Sequence, residues 1–484
     1  MRVLLADLNN FARYPTIAIG LLAACLREHK VDVDVFSPLS VGVQGVVRES
    51  RPAPWGALEA RLRHWTATTP SRPVRRLRQA LVTRRSPMHG RFMQDLIRAF
   101  ATALEARPDV VLISTYLMYF DVCRALVQRC KEQGVPVILG GSYFSQPEIV
   151  EAWSALGATA IVGGEPELFL HDLVQQAASD GDLSQFPGVT PAGAKPRPVA
   201  PPLTELDSLP FPDYSDFPWD RYPSPITPML TGRGCGWGVC RFCSDVTSAM
   251  GRTFRSRSAS HVLDELVVQN ARQKSAQFVF TDLKVNSDAS VWEALLSELP
   301  GRMPHARWIG AVHVDGRGGV GLSAQELRAA RAAGMVRLTT GLESGSQRVL
   351  DQLGKGTELG ETARFLHDAK AAGISTRVTM ILGSPGEEPS EVEASAAFLE
   401  RHADCIERVT LNRFLLMMGT PLHRERAGLG LHAVDVPIQG VATLEPPGVP
   451  SKSARRAVAR LLDAVHRINR RPLSAAARPF EGVM

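Results

Sequence analysis

The chain has 484 residues, 44 % of them hydrophobic, with 55 Lys and Arg against 49 Asp and Glu and a net charge of +6. That is enough apolar material for two ordinary cores at roughly 100 to 200 residues per domain. No stretch approaches the ~20 apolar residues of a membrane span, and Asp7 interrupts any signal-like start, so a soluble cytoplasmic protein is expected and a membrane-spanning one is excluded.

In chain order, Val3 to Ala6 reads as a short apolar strand, Ile17 to Arg27 as a helix and Val31 to Phe36 as a second strand, a βαβ opening. Residues 43–90 break the rhythm as a basic helical insertion, where Arg72, Arg75, Arg76, Arg78, Arg84 and Arg85 fall within fourteen residues that hold no acid. A solvated helix face accounts for such a run, and an acidic partner would account for it more sharply. The alternation resumes with Val110 to Ser114, a helix over Asp121 to Gln133, Val135 to Leu139 before Gly140-Gly141, and Ala160 to Val162 before Gly163-Gly164. Strands that end in small residues ahead of a helix predict a doubly wound, Rossmann-like α/β domain over 1–180, its carboxyl edge open to a ligand.

Residues 181–228 are studded with proline, which disfavours regular ladders and predicts an extended linker that wraps the next domain. Phe278 to Phe280, Trp308 to Val312, Arg337 to Thr340, Ser375 to Ile381 and Arg408 to Leu411 then read as strands with helices between them. They predict a partial (β/α)6 barrel over 229–425. Residues 426–484 read as a short helical tail, with a basic helix over Ser453 to Arg471.

The seven cysteines are an odd number, and Cys235, Cys240 and Cys243 fall within nine positions, which suits metal ligation in a reducing compartment better than a disulfide framework. Cys25, Cys123, Cys130 and Cys405 sit in apolar or helical contexts and read as inert. The three clustered cysteines follow the strand Pro228 to Leu230, so they stand on the first βα loop, the active face of a barrel. Three thiolates on four irons leave one iron open. Structural zinc wants a fourth protein ligand, and no Cys or His stands at short spacing after Cys243.

The line Thr231 to Cys243, with Phe242 before the last cysteine and Phe254-Arg255-Ser256-Arg257-Ser258 after it, resembles the cluster motif of radical S-adenosylmethionine enzymes. Four residues separate Cys235 from Cys240 where most members have three. The resemblance implies a 4Fe-4S cluster on Cys235, Cys240 and Cys243 that cleaves S-adenosylmethionine. It also implies sites for that molecule at Phe242, at Asp282 for its ammonium, at Glu343 and Ser344 near its ribose, and at Ser384 in the Gly383 to Glu387 turn.

The first domain is similar to the cobalamin-binding domain fused to one branch of these enzymes, through Ser114, Thr115, Gly140, Gly141, Ser142, Gly163, Gly164 and Glu165. No Asp before residue 180 is followed two positions on by His, so the cobalt is expected to lack a histidine beneath it. What the resemblance implies is methyl transfer from methylcobalamin to an unactivated carbon of a natural-product or peptide substrate, by way of a 5'-deoxyadenosyl radical. A rearrangement, cyclisation or oxidation without methyl transfer stands as the alternative. Trp237, Trp308 and His313 are candidate walls for the substrate, with Trp308 also readable as barrel core.

The expected partners are that substrate and an external reductant such as flavodoxin or ferredoxin, with no membrane or nucleic acid, acting on a monomer. From other classes, a non-catalytic cobalamin sensor would need only the first domain, and a tRNA-modifying enzyme would ordinarily add a nucleic-acid module, for which the tail has no interleaved aromatics.

Overall fold

The computed structural model describes residues 1–484 except 48–51, 70, 72, 75, 79–90, 244–253, 315–321, 445–449 and 484. Arg72, Arg75, Arg84 and Arg85 of the basic insertion therefore lie outside the described residues.

Period-two and buried-strand patterns become two separate sheets. The first contains β1 (Arg2–Asp7), β2 (Asp32–Phe36), β3 (Val110–Ser114), β4 (Val137–Gly140), β5 (Ala160–Val162) and β6 (Val189–Pro191), in the order β2-β1-β3-β4-β5-β6. All neighbours are parallel except β5 and β6. Parallel strands need both faces covered. Helices 91–104, 120–132 and 147–154 cover one face, and helices 17–28 and 170–178 cover the other. The order reverses between β1 and β3, which opens a crevice at their carboxyl ends.

The proline-rich stretch departs from the linker expectation. Val189–Pro191 pairs antiparallel with β5 at the sheet edge, where a proline lacking its N–H does least harm. Tyr214, Phe217 and Tyr222 then enter the core of the first domain, while Asp207, Phe211 and Pro212 contact Ser258, His261 and Gln269 of the second. A Cβ on Gly20 would lie 2.5 Å from the Tyr214 ring, so only glycine lets helix 17–28 accept that ring. Arg27 ties the same stretch down through Asp213 and Asp216.

The second sheet contains β7 (Ile226–Met229), β10 (Gln277–Phe280), β11 (Arg307–Val312), β12 (Met335–Glu343), β13 (Ser375–Leu382) and β14 (Arg408–Arg413), all parallel in the order β14-β13-β12-β11-β10-β7. β7 and β14 stay unpaired to each other, so the barrel is partial. Alternation sorts the side chains: Phe278 and Phe280 join the helix-covered core, while Val279, Ile309 and Val336 face inward onto Phe480 and Val483. The final segment thus closes the inside of the barrel.

A short hairpin of β8 (Gly232–Arg233) and β9 (Arg255–Ser256) flanks the cysteine loop. The tail read as helical, 426–484, begins otherwise: its β16 (Ala433–Val436) and β17 (Val441–Leu444) form an antiparallel sheet with β15 (Leu416–Met417) from the end of the barrel stretch, and helix 452–469 follows. Among the described residues no helix is long and apolar enough to cross a membrane.

Candidate functional site

The cysteine loop is fastened from several sides. Asp282, just past β10, accepts the Thr231 N–H at 2.9 Å, the Thr231 hydroxyl at 2.6 Å and the Gly232 N–H at 3.1 Å, locking the turn between β7 and β8. Burial pushes this carboxyl up to about 6 against the pull of those donors. Further along, Gly236 N–H donates to Ser287 Oγ, the Trp237 indole donates to the Gly354 carbonyl at 3.1 Å, and Arg241 N–H donates to the Leu353 carbonyl at 2.9 Å. Cys235, Cys240 and Cys243 form no disulfide among the described residues and are half-buried. Among the described residues no three His, Cys, Asp or Glu side chains gather tightly enough for a single metal ion. A four-iron cluster does not need its thiolates on one ion, because it spreads them over separate irons.

Beside the thiols lies a buried ion pair. β12 shifts register between Gly341 and Glu343, and Glu343 sits at φ 57°, a strained conformation for a non-glycine residue. Its carboxylate meets Lys355 Nζ at 3.0 Å. Burial alone would lower the Lys355 ammonium, but Glu343 and the nearby Cys240 and Cys243 raise it, so it stays charged. Gly341 makes room for the pair, since a Cβ there would lie 2.2 Å from Glu343 Oε1 and 2.4 Å from Lys355 Nζ. Sequence reasoning missed Lys355. The available signal was a lone lysine between Gly354 and Gly356, both at positive φ.

Ser344 is fully buried, with Oγ 3.3 Å from Ser395 Oγ and accepting the Ser346 N–H at 3.1 Å. Ser384 is buried and its hydroxyl has no partner among the described residues. An unanswered buried hydroxyl is what a ligand-binding position shows before its ligand arrives.

Other expected residues are placed differently. The Phe242 ring packs behind the loop on Val349, Leu353, Leu416 and Leu422, so it anchors the loop instead of facing a ligand. Trp308 is fully buried, donates to the Ala333 carbonyl and meets Phe280 and Trp292 edge-on; it is core and not a substrate wall, because its position on β11 points to the helices. Trp237 lies against Gly356, its ring 5.3 Å from that of the buried His313, and serves as a brace of the loop.

A cavity of about 380 Å³ lies between the carboxyl edge of the first sheet and the cysteine loop. Ser114, Gly140, Gly141, Ser142, Gly164 and Glu165 line it on one side, and Arg233, Cys235, Arg255 and Asp282 on the other. Thr115 and Gly163 do not. Thr115 is buried and donates to the Tyr116 carbonyl, and a Cβ on Gly163 would lie 2.5 Å from the Phe144 carbonyl, so that glycine serves backbone packing. The four remaining cysteines are buried, and burial pushes Cys25, Cys123 and Cys130 up to about 12, in keeping with inert thiols.

Residues 229–399 match the radical SAM superfamily. An uncharacterized methyltransferase of Pyrococcus horikoshii is 25 % identical over 304 residues, covering 61 % of this chain and 64 % of that protein. The anaerobic magnesium-protoporphyrin IX monomethyl ester cyclase of Rubrivivax gelatinosus is 25 % identical over 316 residues, covering 62 % of this chain and 55 % of that one. The chain thus spans less than two thirds of the length of either curated relative. Among solved structures, the radical S-adenosylmethionine methyltransferase TsrM from Kitasatospora setae, with cobalamin and a [4Fe-4S] cluster bound, superposes with a TM-score of 0.66 at 16 % identity, covering 96 % of this chain and 89 % of that one. The likeness shows a shared fold across both domains.

Proposed function

We propose that this chain, which carries a radical SAM domain over residues 229–399, is a cobalamin-dependent radical enzyme that transfers a methyl group to an unactivated carbon of a small-molecule or peptide substrate. One observation carries the reading: Cys235 of the three-cysteine loop stands in the wall of the cavity onto which the first sheet opens. Three half-buried cysteines on one loop fit a cluster with an open iron. The unanswered Ser384 hydroxyl and the Glu343 carboxylate fit S-adenosylmethionine. The small residues Ser114, Gly140, Gly141, Ser142 and Gly164 fit the approach of cobalamin to the backbone.

When bound, these groups supply a carbon-centred radical and a transferable methyl group. The chain's own residues orient and exclude. Leu5, Ile17, Leu21, Leu112 and Leu170 keep the cavity wall apolar, which limits quenching by water. Lys355 holds Glu343 in place, and Asp282 fixes the start of the loop. An external reductant is required, because the chain's described side chains supply no electron donor of low potential.

The test is iron and corrin content after anaerobic purification from cells supplied with cobalamin, followed by assays with methyl-labelled S-adenosylmethionine. About four irons and one corrin per chain, with label in a product carbon, are expected; iron without corrin would overturn the methylcobalamin step. The cyclase relative favours a second reading, a radical transformation without methyl transfer. It would show as 5'-deoxyadenosine formed while the substrate gains no label.

A further inference from the structure

The turn after β5, Gly163 to Glu167, sends two carboxylates across to the hairpin that begins the cysteine loop. Glu165 is fully answered: Arg255 Nη1 lies 2.6 Å from Oε2 and Nη2 3.0 Å from Oε1, Arg233 Nη1 lies 3.2 Å from Oε1, and Leu203 N–H donates to Oε2 at 2.7 Å. Together Arg255 and Arg233 outweigh burial and hold this carboxyl below its ordinary range. Glu167 is only half answered. Its Oε1 takes Arg233 Nη2 at 2.6 Å, while Oε2, on a side chain 8 % exposed, is buried with no donor. On the same wall Arg255 Nε is a buried donor with no acceptor. Glu167, Arg233 and Arg255 all line the cavity.

The charges in this group already balance, two carboxylates against two guanidiniums, so neither a cation nor an anion is called for. What remains is one acceptor and one donor, the complement of a primary carboxamide. Neither atom has a partner among the described residues, and such orphans are costly unless a ligand supplies one. Cys235 stands two residues beyond Arg233 in the chain.

We propose that Glu167 Oε2 accepts a carboxamide N–H from the rim of the corrin, and that the Glu167–Arg233 bond makes occupancy of the cavity a positional constraint on the cysteine loop. This rests on the reading of the cavity as a corrin site. A corrin carries primary carboxamides around its edge, which is the donor-and-acceptor chemistry the wall lacks. Glu167 is a binding residue in this scheme and Arg233 a positioning residue.

The experiment titrates hydroxocobalamin into corrin-free, cluster-reconstituted full-length protein by visible absorption, for wild type and Glu167→Gln. Glutamine keeps the shape and the Oε1 bond to Arg233 but presents a donor where an acceptor is needed. Affinity should fall roughly tenfold or more, with iron content and circular dichroism unchanged. Hydroxocobalamin should also alter the electron paramagnetic resonance signal of the reduced cluster in wild type and not in Glu167→Gln, a readout that a merely structural role for the side chain would not move. Equal hydroxocobalamin affinity in the two proteins overturns the assignment of Glu167. Wild type that takes up no hydroxocobalamin overturns the corrin reading itself, and this inference with it.

Discussion

Two buried charges beside the sites give the residue scale its sharpest expectations. Glu343 and Lys355 are 8 % and 10 % exposed, and each is the other's main source of compensation. A buried carboxylate deprived of its cation loses most of the attraction that offset its desolvation. Lys355→Met should therefore destabilise the metal-free chain by about 3 kcal/mol, read as a lowered urea midpoint. Lys355→Met with Glu343→Gln, which removes both charges, should recover most of that loss; a double variant as unstable as the single one would sink the argument. Asp7 is a different case, buried with no cation. Thr16 Oγ1 and the Asn9 N–H donate to it, yet burial pushes it up to about 6 from an ordinary 3.8. Because the folded value lies above the unfolded one, its stabilising effect is complete below about 3.8 and is lost as pH rises through about 6. That amounts to about 3 kcal/mol between the limits. Asp7→Asn should accordingly be more stable than wild type at pH 8, keep roughly half of that advantage at pH 5 and lose most of it near pH 3.8. An advantage equal at all three pH values would show that titration is not its cause.

At the scale of elements, what was legible followed from periodicity and from where apolar runs end. The strand Trp308 to Val312 is continuous and apolar because parallel strands bury both faces, and it lies where the pattern placed it, as does the more mixed Ser375 to Ile381. The cysteine loop was legible because its chemistry is compressed into nine positions, 235–243. Elements made by long-range pairing were not. β6 is three residues long and ends in Pro191, so nothing local distinguishes it from linker; its pairing with β5 makes it a strand. β16 and β17 are equally short and were hidden in a stretch read as tail. The same limit hid the role of Phe242, whose side chain faces packing partners that sequence spacing does not identify, whereas Trp308 was readable as barrel core. Lys355 was invisible for a related reason: it acts twelve residues away from Glu343, through a loop whose path is set by two glycines.

At the scale of the whole molecule, the boundary of the first domain decides whether it can fold alone. Its second face is sealed by Tyr214, Phe217 and Tyr222, none of which lies within the first 180 residues. Tyr214 is fully buried against Gly20 and donates to the Pro228 carbonyl, and β6 covers the open edge of β5. A fragment ending at residue 180 would expose this apolar face and an unpaired strand edge together, which is a recipe for association between copies. Each aromatic lost from a core costs about 3 to 5 kcal/mol, so three together are comparable with all that most domains hold in reserve, about 5 to 15 kcal/mol. A fragment ending at residue 223 retains all three rings, β6 and the Arg27 contacts to Asp213 and Asp216. The 1–223 fragment should therefore be monomeric by light scattering and unfold cooperatively in urea, while the 1–180 fragment should bind a hydrophobic dye and aggregate. Equal cooperativity in both would mean that the aromatic seal belongs to the barrel instead, and that the proline-rich stretch is the linker its composition suggests.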